Sequence, residues 1–98
     1  MSSAQQIVEE AIKNNRVVIF SKSYCPFCKK AKALFDELKV EYTAIELDLH
    51  DQGADIQAYL AEKTGQRTVP NIFVNQKHVG GSDDLAKAKE NGTLEKLL

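Results

Sequence analysis

Val17-Val18-Ile19-Phe20-Ser21-Lys22-Ser23-Tyr24-Cys25-Pro26-Phe27-Cys28, residues 17–28, carries the reading of the fold. Val17 to Phe20 form a continuous apolar run rich in β-branched residues, which suits a short central strand buried on both faces. A polar turn follows. Pro26 then fits the first position of a helix, where its missing N–H would be unsatisfied in any case and its fixed φ is already helical. Beyond it Ala31, Leu34, Phe35 and Leu38 share one face of the predicted helix, while Lys29, Lys30, Lys32 and Lys39 fall on others. Lysines 29, 30 and 32 read as a solvated surface that could assist electrostatic docking.

A strand that runs straight into a helix sets Cys25 at the N-cap. Free backbone N–H groups and the positive end of the helix dipole both favour a thiolate there, and Lys22 is expected to add to the effect. Such settings bring a cysteine pKa into the range of roughly 3.5 to 7.5, so Cys25 is the candidate nucleophile. Cys28 follows on the same helix face, at about 5–6 Å, a spacing from which a disulfide closes with little movement. Sharing that face with Ala31 and Phe35, it is expected to be more buried, with a higher pKa, and to act as the resolving thiol. A structural zinc site would need further ligands, and only His50 and His78 are on offer, far away in sequence.

Working outward, Ser3-Ala4-Gln5-Gln6 matches a capping box, and Ile7, Val8, Ala11 and Ile12 continue at helical spacing to about residue 14. Thr43, Ile45, Leu47 and Leu49 alternate with polar neighbours as in a half-buried strand nearer the sheet edge. Two strands bracketing a helix predict a right-handed βαβ unit. A third helix is predicted over about Gly53 to Thr64, with Ile56, Tyr59 and Leu60 inward and Gly65 as its stop. Ile72 to Val74 and Lys77 to Val79 flank Asn75-Gln76, a two-residue hairpin signal in which Gln76 is a poorer turn residue than Gly. Ser82 is the expected cap of a helix reaching about Glu90, and a short turn over 93–98 closes the chain.

The chain has 98 residues, 43% hydrophobic and 28% charged, the balance of one ordinary globular domain spanning 1–98. Thirteen basic against fourteen acidic residues give a formal net charge of -1, so no bulk field gathers nucleic acid or anionic lipid. Met1 to Gln6 lack a basic region before an apolar run, and no stretch nears the roughly 18 apolar residues of a membrane span, so a cytoplasmic location is expected. Two cysteines cannot form the framework that staples small secreted domains.

The sequence resembles the dithiol glutaredoxins over nearly its whole length. The likeness rests on Lys22-Ser23-Tyr24-Cys25-Pro26-Phe27-Cys28, on Thr68-Val69-Pro70, and on Gly80-Gly81-Ser82-Asp83-Asp84-Leu85, in that order. It implies an α/β, thioredoxin-like fold with a four-stranded mixed sheet flanked by helices, in agreement with the elements above. Thioredoxin itself usually has Trp before the first active cysteine, and this chain has no Trp. Phe27 departs from the Tyr commonest at its position in the family.

The resemblance implies a glutathione-dependent thiol–disulfide oxidoreductase acting on protein–glutathione mixed disulfides and protein disulfides, with glutathione as reducing co-substrate and glutathione reductase as the coupled system. It also implies a site for the tripeptide. Val69 would pair with its backbone beside a cis Pro70, with Thr68 adjoining. Asp83 and Asp84 would meet the γ-glutamyl group at a helix start, Lys22, Gln57 and Arg67 the glycyl carboxylate, and Tyr24 and Phe27 would line the sulfur's approach. No metal is expected, and the protein is expected to act as a monomer. The competing class is a carrier holding an iron–sulfur cluster between two subunits with glutathione as a ligand. Pro26 counts against it, since related cluster binders with two cysteines tend to have a smaller, more flexible residue there.

Overall fold

The computed structural model describes residues 3–98; Met1 and Ser2, which entered the reading of the amino terminus, lie outside them. In chain order the elements are α1 (Ala4–Asn14), β1 (Val17–Ser21), α2 (Pro26–Glu37), β2 (Thr43–Glu46), α3 (Gly53–Thr64), β3 (Asn71–Val74), β4 (Lys77–Gly80), α4 (Ser82–Glu90) and α5 (Thr93–Leu97). The four strands form one sheet in the order β2-β1-β3-β4. β1 pairs in parallel with β2 and antiparallel with β3, and β4 closes the sheet antiparallel to β3.

The unbroken apolar run of β1 has its reason in the two cores that it separates. Val18 and Phe20 point into one with Val8, Ile12, Ile56, Leu60 and Phe73, beneath α1 and α3. Val17 and Ile19 point into the other with Ala31, Phe35, Ile72, Val74, Leu85 and Leu94, beneath α2, α4 and α5. Alternate side chains of a strand face opposite ways, so a strand covered on both sides must be apolar at every position. The sheet thereby holds the carboxyl end of β1, and the helix that follows, in fixed relation to β3.

Four local expectations need correction. Strand β2 ends at Glu46, the partner of the last β1 residue, Ser21. With no β1 backbone left to pair with, the chain turns, the N–H of Leu49 donates to the Glu46 carbonyl at 3.1 Å, and Leu49 is left 73% exposed instead of facing inward. Helix α4 is capped by Gly81, with Ser82 already its first residue; the Asp84 carboxylate accepts the Gly81 N–H at 2.9 Å. At α1, Ser3 Oγ accepts the Gln6 N–H at 3.1 Å, but the Gln6 side chain turns to Glu10 and does not close the box. Lys32 is not a solvated side chain: its Nζ lies 2.7 Å from Glu46 Oε2 and only 20% of it is exposed. The hairpin turn is as read, with Asn75 and Gln76 both at positive φ, 46° and 69°.

Candidate active site

The site begins where β1 ends. Cys25 is the N-cap of α2, with extended backbone at φ −83° and ψ 117°, and Pro26 opens the helix. The turn before it is held from β2's side, since the Asp48 carboxylate accepts both the N–H and the hydroxyl of Ser23. These bonds, with the nearby Lys22 ammonium, hold the Asp48 carboxyl below its ordinary value. Within the turn the Cys25 N–H donates to the Lys22 carbonyl at 3.0 Å.

Cys25 Sγ accepts the Cys28 N–H at 3.4 Å. Burial pushes its thiol up. The Cys28 thiol, the backbone N–H groups of Cys28 and Phe27, and the Lys32 charge outweigh that and bring it below the ordinary thiol value. The N-cap argument thus has its counterpart in named donors. The Lys22 charge helps to lower the Asp48 carboxyl, and the Lys32 charge adds to the lowering of the Cys25 thiol. Cys28 is wholly buried. Burial first, and then the Cys25 sulfur beside it, push its thiol up to about 11, against smaller opposing contributions from the Lys22 N–H and the Ser21 hydroxyl. Both cysteines are free thiols.

Across from the thiols lies the Val69–Pro70 peptide, which is cis. The Val69 carbonyl oxygen is 3.9 Å from Cys25 Sγ. A cleft of about 430 Å³ starts here, bounded by Phe27, Thr68, Val69 and Pro70 and, at its far end, by Asp83 and Asp84. That volume falls within the roughly 300–1,000 Å³ usual for small-molecule sites. Of the expected site residues, Lys22, Tyr24, Gln57 and Arg67 lie outside its walls, and so do Cys25 and Cys28, the former meeting it through Val69. Tyr24 is 66% exposed, and Gln57 Nε2 donates to the Arg67 carbonyl at 2.7 Å, which ties these two together.

Gln66 was not singled out, yet it borders the cleft and braces it, with Nε2 donating to the carbonyls of Thr68 at 3.0 Å and Pro70 at 2.9 Å. Nothing in its sequence position marks it, because a loop glutamine looks alike whether it points at solvent or at backbone. A larger hollow of about 1130 Å³ opens at the other end of β1, near Arg16, Lys39 and Tyr42, and none of the expected site residues lines it.

A helix-capping thiol of lowered pKa, a buried partner thiol and a cis-proline wall on a thioredoxin-like sheet define a thiol–disulfide oxidoreductase. A sequence model described as Glutaredoxin matches residues 17–79. Glutaredoxin-1 of Rhizophagus irregularis is 55% identical over 98 residues, covering 100% of this chain and 97% of its own. Glutaredoxin-2 of Schizosaccharomyces pombe is 52% identical over 97 residues, covering 99% of this chain and 88% of its own. The crystal structure of a buckwheat glutaredoxin–glutathione complex superposes with a TM-score of 0.95 at 44% identity, covering 97% of this chain and 86% of that one. The chain belongs to the glutaredoxin family, and it is a glutathione-dependent thiol–disulfide oxidoreductase.

Proposed function

We propose that the enzyme reduces protein–glutathione mixed disulfides by a route that needs Cys25 alone, and protein disulfides by a route that also uses Cys28. In the first, the Cys25 thiolate attacks the glutathione sulfur, the S–S bond to the protein breaks, and the protein leaves as a thiolate that takes a proton from solvent. A second glutathione then attacks the Cys25-bound sulfur, giving glutathione disulfide and free Cys25. Electrons pass from glutathione to the protein, and glutathione reductase restores the spent glutathione. In the second route Cys25 attacks a protein disulfide and Cys28 displaces the mixed disulfide, leaving a Cys25–Cys28 bond for glutathione to reduce.

The observation that carries this reading is the lowered Cys25 thiol beside the carbonyl of Val69, a residue that walls the cleft running to the start of α4. The backbone of Val69 suits an added strand from the tripeptide. Free N–H groups at the α4 start suit the γ-glutamyl carboxylate, and the Asp83 and Asp84 carboxylates suit its ammonium. Lys22, Gln57 and Arg67 are assigned to the glycyl carboxylate, and Tyr24, Phe27 and Thr68 to the flanks. The likeness to a solved glutaredoxin–glutathione complex supports the same pose. The enzyme works as a monomer in a reducing compartment, the cytoplasm, where a lone pair of closely spaced thiols stays reduced.

The test is a coupled assay with glutathione, glutathione reductase and a glutathionylated protein. Cys25→Ser abolishes turnover and Cys28→Ser retains it; equal residual activity in the two variants refutes the assignment.

A further inference from the structure

The segment that joins α3 to β3 belongs to no helix or strand, yet it carries the cis wall of the cleft. One side chain supplies the bonds that a ladder would otherwise give it. Gln66 Nε2 donates to the Thr68 carbonyl at 3.0 Å and to the Pro70 carbonyl at 2.9 Å, and since a side-chain amide nitrogen has two hydrogens, both are spent on this loop. The two carbonyls stand before and after Val69. The Val69 carbonyl oxygen itself is left to the thiol, 3.9 Å from Cys25 Sγ.

Gln66 is anchored at its own backbone as well. Its N–H donates to Thr64 Oγ1 at 3.0 Å, and that hydroxyl donates to the Leu60 carbonyl at 2.7 Å, so the brace springs from the last turn of α3. Next to the Pro70 carbonyl is Gly81, the N-cap of α4, where an added Cβ would lie 3.7 Å from the Pro70 oxygen and 3.9 Å from Gln66 Nε2. The amide therefore sits where the Val69–Pro70 wall meets the start of α4, between the two parts of the cleft assigned above to the backbone and to the γ-glutamyl end of the tripeptide.

We propose that Gln66 is a positioning residue for the tripeptide: by tying down the carbonyls on either side of Val69, it holds the Val69 backbone in the orientation that pairs with an extended peptide. The inference rests on the pairing of Val69 with glutathione proposed above, and adds the residue that makes this site selective for a disulfide carrying a peptide. In strand addition the affinity comes from main-chain hydrogen bonds. A loop fixed beforehand need not be ordered on binding, whereas an unbraced one is ordered at the expense of affinity. The sulfur chemistry does not draw on the brace, because the N–H that Cys25 Sγ accepts comes from Cys28 on its own helix. Gln66 thus governs how well the peptide part of the substrate is held, and leaves the reactivity of Cys25 alone.

Gln66→Met keeps the length of the side chain and removes both donors. In the coupled assay its KM for a glutathionylated peptide rises about two- to tenfold, the worth of a hydrogen bond, while kcat stays within about twofold. Rapid mixing of the reduced full chain with 5,5′-dithiobis(2-nitrobenzoate), a disulfide with no peptide backbone, releases the first coloured thiolate at the rate of the unaltered enzyme. Gln66→Ala gives the same pattern, since the donors matter and not the bulk, and it serves as the check should the Met variant fold poorly. An unaltered KM in both variants overturns the proposal. So does an equal slowing with the aromatic disulfide, which would make the brace merely structural, or a Met variant that keeps the KM which the Ala variant loses. If the unaltered enzyme handles a cysteaminylated peptide with the same KM as the glutathionylated one, the tripeptide pose itself fails and the proposal with it.

Discussion

Alkylation by iodoacetamide at pH 7 measures how unequal the two thiols are. With its thiol at about 11, Cys28 is ionised to roughly one part in ten thousand. Cys25 lies below the ordinary 9.0, so at least about one part in a hundred is thiolate, a ratio of about a hundredfold or more. The more basic thiolate is also the better nucleophile. With a Brønsted slope of about 0.4–0.5, a difference of two units returns about eightfold to Cys28. The chemistry alone therefore favours Cys25 by at least about tenfold, and access widens the gap, because Cys28 has 0% of its surface exposed. Initial rates read from peptide masses should show nearly all early modification on Cys25, with its rate inflecting below pH 9. Comparable rates at the two cysteines, or an inflection at pH 9 or above, would show that the helix start does not ionise Cys25.

Three further outcomes follow from particular residues. Asp83→Asn, at an exposed position, should raise KM for glutathione by up to about fivefold with little effect on kcat, read from initial rates against glutathione concentration. Gly53→Ala would bring a Cβ within 1.8 Å of the Leu47 carbonyl oxygen, and urea unfolding should register a loss of about 1–3 kcal/mol as α3 shifts to relieve it. Gln76→Gly relieves a side chain held at φ 69° and should raise unfolding stability by roughly 0.5–1 kcal/mol; no gain would mean that Gln76 has compensating contacts.

Much of the site was legible because it depends on neighbours in sequence. An N-cap thiol answering its own helix's N–H groups, a Pro at the first helical position, and a resolving thiol on the face of Ala31 and Phe35 need only the helix period to be foreseen. The cis bond at Val69–Pro70 came from the family likeness, since periodicity has no signal for it. Leu49 was misread because alternation continues in the letters after the partner strand has stopped. Lys32 was misread because helical position tells which way a side chain leaves its helix, and only β2 supplies the carboxylate that draws it in.

From the amino-acid order alone came the strand buried on both faces, the helix that opens at Cys25, the hairpin at Asn75-Gln76 and the division of labour between two thiols. Each is a matter of backbone preference or of side chains a few residues apart, where chain connectivity fixes the geometry. Only the folded sheet decided that Lys32 is drawn to Glu46, that Gln66 braces the cleft, and that the buried Ser21 hydroxyl donates to Glu46. Those contacts join residues far apart in the chain, whose separation in space is set by strand order and register, and no local pattern encodes it.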